Sequence, residues 1–243
     1  HGVPVFDSMA DAVRETGANA AVLFVPAFAL RAAAFEAMDA GVGLMVMVPE
    51  HVPLHDTMAI AERAGELGIT VVGPNTPGLI CPAARCKLGF LPQDYFTPGP
   101  VGLASRSGTL SYEIVSRLTE AELGQSTGVG VGGDPIVGTT FADVLRAFDE
   151  DESTRAVMMI GEIGGSMEEE AADLVAAGTV NKPVVAFLAG RNAPPDKRMG
   201  HAGAIIAAGR GTIASKLEAF ARAGIAVADH PADVVPLIRK ALA

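Results

Sequence analysis

An α/β fold with two doubly wound domains in tandem is what three features of this sequence predict. Short, continuous Val/Ile/Leu/Met runs alternate with stretches of helical spacing along the whole chain. That alternation marks parallel strands buried on both faces, with helices as crossovers. The rhythm breaks once, over 73–100, which holds Pro74, Pro77, Pro82, Pro92, Pro98 and Pro100 and no long helical period, and it then restarts. Such a stretch reads as interdomain, and it divides the chain into domains at 1–98 and 99–243.

In the first half, 3–6 reads as the end of a strand and 8–16 as a helix. Residues 20–25 are a continuous apolar strand, and 27–39 have helical spacing that stops at Gly41. A strand over 44–48, a helix over 55–67 ending near Gly68 and a strand over 70–72 complete that half. In the second half the pattern predicts strands at 101–104, 127–131, 156–160, 183–189 and 225–228. Helices are predicted at 109–121, 141–148, 168–177, 212–223 and 232–242.

Composition removes several function classes. The net charge of −10 argues against nucleic-acid binding. No apolar run approaches the roughly 20 residues needed to span a bilayer, and His1-Gly2-Val3-Pro4 lacks the apolar core of a signal peptide. Cys81 and Cys86 are too few for a disulfide framework or a zinc site of their own. They read as reduced thiols of a cytoplasmic compartment. Glu50, His51, His55 and Asp56 look like metal ligands, but Pro53 interrupts the spacing, so no metal site is expected.

The most informative stretch is Arg198-Met199-Gly200-His201-Ala202-Gly203. Imidazole can attack phosphorus at neutral pH and later release the phosphoryl group. Gly200 and Gly203 remove Cβ atoms around it, so a bulky anion can approach the backbone. The upstream 191–198 loop supplies three cations, Arg191, Lys197 and Arg198. A plain turn histidine would be flanked in the same way. Three other stretches sit at strand carboxyl ends, where open α/β sheets bind ligands. Ser105-Arg106-Ser107-Gly108-Thr109 opens a helix and offers an anion site of hydroxyls and free N–H groups. Simple N-capping would account for one of those hydroxyls. Gly161-Glu162-Ile163-Gly164-Gly165 places a carboxylate where it could orient an imidazole, whereas Glu168-Glu169-Glu170 reads as a solvated first-turn cluster. Gly132-Gly133-Asp134-Pro135 is a tight turn. In the first half, Val48-Pro49-Glu50 and Gly73-Pro74-Asn75-Thr76-Pro77-Gly78 end strands. Gly128, Gly130 and Gly133 make a formal G-x-G-x-x-G, but it lies within a strand and leads to no helix, so it is discounted.

Taken together, several ordered motifs resemble those of the succinyl-CoA synthetase (succinate–CoA ligase) alpha-subunit family. They are Ser105-Arg-Ser-Gly-Thr-Leu-Ser-Tyr-Glu113, Gly132-Gly-Asp-Pro135, Gly161-Glu-Ile-Gly-Gly165, Ala193-Pro-Pro195 and Gly200-His-Ala-Gly-Ala-Ile-Ile206. The resemblance implies a Rossmann-like CoA-binding domain followed by a flavodoxin-like ligase domain. It also implies CoA as cofactor, and a partner beta subunit of ATP-grasp fold that binds ATP or GTP with Mg²⁺. By position, it makes His201 the phosphorylated residue and Glu162 its carboxylate partner. Ser105, Ser107, Gly108 and Thr109 become the phosphate-holding groups, with Tyr112, Gly200 and Gly203 at the substrate. Val48, Pro49, Glu50 and Asn75 match CoA-contacting stretches. The implied activity interconverts succinate, CoA and nucleoside triphosphate with succinyl-CoA, nucleoside diphosphate and phosphate. The implied location is the bacterial cytoplasm, or the mitochondrial matrix in a eukaryote. A ligase for malate or a related acid, and a non-catalytic CoA-binding module, are the alternatives.

Two departures stand out. The family's Pro-Asn-Cys-Pro-Gly reads Pro74-Asn75-Thr76-Pro77-Gly78, and no glycine-rich βα turn precedes residue 20, so the first domain reads as cropped at its start. A phosphate-anchoring loop orients much of a nucleotide-like ligand. This chain alone is therefore expected to bind CoA weakly, and titration calorimetry showing tight, stoichiometric binding would overturn that expectation.

Overall fold

The computed structural model describes residues 2–191, 201–204, 206 and 211–243. The 192–200 stretch, with Lys197, Arg198, Gly200 and Ala193-Pro194-Pro195, lies outside the described residues.

The first unit is a three-stranded parallel sheet of β1 (Ala20–Leu23), β2 (Leu44–Met47) and β3 (Thr70–Val72), in that order. Helix α1 (Met9–Thr16) precedes it, α2 (Leu30–Asp39) joins β1 to β2, and α3 (Leu54–Leu67) joins β2 to β3. Ser8 caps α1 by accepting the Asp11 N–H, and glycines in the left-handed region end α1 and α3, as the sequence pattern requires. Leu30, Ala34, Ala37 and Met38 of α2 and Ile60 and Ala64 of α3 pack with Leu23, Met45, Met47 and Val71 into one core. The strand end expected at 3–6 does not form. Those residues pair with no strand among the described residues, and Val3 and Val5 are exposed. A strand exists only through its ladder.

The second unit is a seven-stranded sheet built on β6 (Pro98–Ser105), β7 (Gln125–Gly130), β8 (Ala156–Glu162), β9 (Val184–Ala189) and β10 (Ala226–Ala228). These five run parallel. Counted in chain order their spatial sequence is 2-1-3-4-5, the flavodoxin-like doubly wound order. Helices α4 (Gly108–Glu120), α5 (Phe141–Glu150), α6 (Met167–Ala176), α7 (Ile213–Ala223) and α8 (Val234–Leu242) connect and follow them. Every residue of β8 is buried, and successive side chains feed opposite cores. Val157 and Met159 join Phe141, Phe148, Ala171 and Phe220 from α5, α6 and α7, while Met158 and Ile160 join Ile114, Leu118, Val234 and Ile238 from α4 and α8. Burial on both faces is why these strands read as unbroken apolar runs.

The proline-rich 73–100 stretch is more than a connector. It contains an antiparallel hairpin, β4 (Gly78–Cys81) and β5 (Cys86–Gly89), and β4 pairs with β7. The change from one sheet to the other therefore falls between Val72 and Gly78, ahead of the expected break at 98. Four-residue strands bounded by Pro77 and Pro82 are too short for periodicity to reveal, and β6 already begins at Pro98. Cys81 and Cys86 are free thiols on opposed positions of this hairpin.

Two bonds from one side chain tie the loop after β3 to the second sheet. The buried Thr76 hydroxyl donates to the Gly130 carbonyl at 2.5 Å and accepts the Gly78 N–H at 2.9 Å. Thr76→Val keeps the shape and removes both bonds, and leaving buried polar groups unpaired costs about 1–3 kcal/mol. Urea unfolding is expected to show that loss, and an unchanged midpoint would contradict the assignment.

Candidate active site

The strand order reverses between β6 and β8, and an open α/β sheet leaves a crevice at such a point, outside the carboxyl ends of its strands. Ser105 and Arg106 leave the end of β6 here, and Glu162 is the last residue of β8. The His201 imidazole reaches this point, with Nδ1 lying 2.8 and 3.0 Å from the two oxygens of Glu162. The Arg106 guanidinium closes the other side: its Nη2 is 3.2 Å from Glu162 Oε1.

Behind this pair lies a buried ionic layer. Glu168 on α6 has no exposed surface, and its Oε1 accepts both the Glu162 backbone N–H at 3.0 Å and Arg106 Nη1 at 3.2 Å. Arg106 Nη1 also donates to the Gly164 carbonyl at 2.9 Å. The equally buried Lys216 of α7 donates to Glu168 Oε2 at 2.5 Å, Glu169 Oε2 at 2.7 Å and the Gly165 carbonyl at 2.9 Å.

One expectation is corrected by this layer. Glu168 is a fully buried ion-pair partner rather than a solvated charge. Arg106 is committed to two carboxylates and a carbonyl, and its Nε is buried without a partner among the described residues. The helical phase carried the signal. Glu168 shares the buried face of α6 with Ala171 and Ala172, and Lys216 shares that of α7 with Ala219 and Phe220.

His201 opens onto a cavity of about 380 Å³ at the junction of the two sheets. Its wall brings together Ser107, Gly108, Thr109 and Tyr112 from the start of α4 with Val48, Glu50 and Asn75 from strand ends of the first unit. Thr76, Pro77, Phe90 and Arg106 complete it. Thus eight residues singled out in the sequence, His201 among them, line one space. Ser105, Pro49, Glu162 and Gly203 stand behind the wall. Ser105 Oγ is spent inside its own loop, donating to the Ser107 carbonyl at 2.9 Å and accepting the Ser107 N–H at 3.1 Å. Ser107 caps α4 by accepting the Leu110 N–H at 3.3 Å. The Gly203 N–H donates to the Gly133 carbonyl at 3.0 Å.

Asn75 fastens the two units around this cavity. Its N–H donates to the Pro49 carbonyl at 2.8 Å, its carbonyl accepts the Gly133 N–H at 3.1 Å, and its side-chain amide donates to Asp134 at 3.1 Å. Asn75 takes the left-handed conformation at φ 57°, which asparagine tolerates. Gly133 packs so close that a Cβ there would lie 2.8 Å from the His201 ring, so any other residue would force the imidazole to shift.

The electrostatics follow from these contacts. The hydrogen bond to Glu162 raises the His201 pKa. Burial and the Arg106 charge oppose this, while the Glu162 and Asp134 charges reinforce it. Burial raises the Asp134 carboxyl, against the Asn75 hydrogen bond. Burial also raises the Tyr112 phenol. Among the described residues no group of three or more His, Cys, Asp or Glu side chains is placed to hold a metal, and no helix is long and apolar enough to cross a membrane.

The profile of the CoA-ligase family matches residues 104–226, and that of the CoA binding domain matches residues 1–51. The chain is 51% identical over 242 residues to an Archaeoglobus fulgidus succinate–CoA ligase [ADP-forming] subunit alpha 1, covering 100% of this chain and 82% of that protein. The chain belongs to the succinate–CoA ligase alpha-subunit family. A Staphylococcus epidermidis relative named succinate–CoA ligase [ADP-forming] subunit alpha is 48% identical, covering 96% of this chain and 76% of its own length. Among solved structures, an ATP citrate lyase from Methanothrix soehngenii in complex with citrate and coenzyme A superposes with a TM-score of 0.88 at 25% identity. The match covers 99% of this alpha-family chain but only 41% of the lyase chain.

The raised pKa has a measurable consequence. A histidine whose folded pKa exceeds its unfolded value of about 6.5 contributes stability that is complete below the unfolded value. That contribution is lost as pH rises through the folded value. His201→Asn should therefore be least stable relative to the wild type in mild acid, with the gap closing as pH increases. A gap that stays constant from about pH 5.5 to 8.5 would contradict the Glu162–His201 bond.

Proposed function

We propose that this chain is the phosphohistidine-bearing alpha subunit of a nucleotide-dependent succinate–CoA ligase. One observation carries the reading: both oxygens of Glu162 face Nδ1 of His201, while the imidazole lines a cavity shared with the N-terminus of α4. With Nδ1 carrying the proton shared with Glu162, Nε2 keeps its lone pair and is the nucleophile. His201 Nε2 attacks the transferring phosphorus, an N–P bond forms and a P–O bond breaks, and positive charge developing on the ring is met by Glu162. Passing the phosphoryl group to a carboxylate of succinate gives a mixed anhydride. Attack of a thiol on that anhydride then releases phosphate and leaves the thioester.

The N–H groups of Gly108 and Thr109, which have no partner among the described residues, and the Ser107 hydroxyl, at the start of a 13-residue helix, form an anion site for the phosphoryl oxygens. Ser105 serves by shaping that loop. Tyr112, which lines the cavity, borders the acid substrate, and Gly203 stands behind it. CoA, whose thiol is the acyl acceptor, fits the carboxyl end of β2. There Val48 and Glu50 line the cavity with Asn75 and Phe90, and Pro49 holds the Asn75 backbone. The nucleotide, ATP or GTP with Mg²⁺, belongs to an ATP-grasp beta subunit, in the cytoplasm of a bacterium or the matrix of a mitochondrion.

With that subunit, Mg²⁺ and radiolabelled nucleoside triphosphate, the chain is expected to gain an acid-labile, base-stable phosphate. His201→Asn should abolish both label and thioester. Glu162→Gln should slow labelling by about 10²-fold, because it removes the charge that meets the developing imidazolium. Ser107→Ala should cost less than about tenfold, since backbone donors remain. Label retained in His201→Asn would sink the reading.

A further inference from the structure

We infer that Lys216, acting through Glu168 and Arg106, is a positioning residue that holds down the basicity of His201 and so keeps its Nε2 available as a nucleophile. The contacts form one chain of alternating charge from α7 to the imidazole. Lys216 Nζ meets Glu168 Oε2 at 2.5 Å, Glu168 Oε1 meets Arg106 Nη1 at 3.2 Å, Arg106 Nη2 meets Glu162 Oε1 at 3.2 Å, and Glu162 Oε2 meets His201 Nδ1 at 2.8 Å. Lys216, Glu168 and Arg106 are each almost wholly buried, so their charges are weakly screened.

Arg106 is shared between two carboxylates. Its hold on Glu162 weakens the pull of Glu162 on the His201 proton, and its own charge opposes protonation of the ring. How far Arg106 leans toward Glu162 depends on how well Glu168 is satisfied elsewhere, and Lys216 is what satisfies it. Glu162, Glu168 and Glu169 outnumber Arg106 and Lys216 by one negative charge, so the cluster favours a positive ring. Removing Lys216 doubles that excess and draws Arg106 toward Glu168. Both effects make His201 more basic. Among the described residues the other charges near the ring are Asp134 after β7, with Glu50 and His51 after β2 acting on Asp134, and none of them touches Lys216.

The inference rests on the reading of His201 as nucleophile only for its consequence. The titration itself can be read without that reading, by NMR of the ¹⁵N-labelled imidazole in the full chain. Lys216→Met and the milder Lys216→Gln are expected to raise the His201 midpoint by about 0.5 pH or more. Lys216→Arg should restore it, and Glu168→Gln, which releases Arg106 to Glu162, should lower it. In the complex with the beta subunit, Lys216→Met should label slowly near neutrality and recover at higher pH, which a merely structural role would not produce. The opposite sign in Glu168→Gln keeps the test decisive if Lys216→Met does not fold. Midpoints that stay at the wild-type value in folded Lys216 and Glu168 variants would overturn the inference. Shifted midpoints without phosphorylation would instead leave the inference standing and remove the proposed function.

Discussion

A carboxylate at the end of a fully buried central strand is the constraint around which this structure is arranged. Glu162 closes β8, whose other residues feed apolar cores on both faces. A buried charge is tolerable only with partners. Here the carboxylate's partners are Arg106, after β6, and His201, while behind them Glu168 of α6 accepts the Glu162 backbone N–H and is itself paired with Lys216 of α7. The imidazole is thus one member of a charge layer that the fold must assemble in order to end β8 where it does. Under the proposed function the catalytic groups are also groups that stabilise the fold, and the topological switch point between β6 and β8 is where they meet.

The cavity in front of this layer joins two units that have separate cores. Asn75 bonds the loop after β2 and the loop after β7, and Thr76 bonds the end of β7. These few polar contacts hold the strand ends of the first sheet over the start of α4. A ligand spanning the junction would therefore touch both units, and the seam would respond to its binding.

Much of this was legible in the sequence, for identifiable reasons. Parallel strands buried on both faces announce themselves as apolar runs, and every crossover helix carries its period. The site motifs were legible because glycines and polar groups interrupt those runs at strand ends, as at Glu162 and Ser105. The hairpin of β4 and β5 was hidden, since four-residue strands between prolines have no period. Glu168 was misread because a run of three glutamates looks solvated, yet its spacing to Ala171 and Ala172 puts it on the buried face. The helical phase of Lys216 marks its buried position, but the Lys216–Glu168 and Asn75–Asp134 pairings were hidden for another reason: partners 48 and 59 residues apart leave no local trace.

The central claim is that Glu162 holds Nδ1 of His201 and thereby directs the chemistry to Nε2. The nitrogen that becomes phosphorylated tests it most directly. The chain would be labelled with ¹⁵N-histidine, incubated with the proposed beta subunit, Mg²⁺ and nucleoside triphosphate, and examined for ³¹P–¹⁵N coupling. Coupling to Nε2, with Nδ1 still protonated toward Glu162, is the predicted result. Phosphate on Nδ1 would contradict the account, because that atom could not then hold the bond to Glu162 on which the site is built.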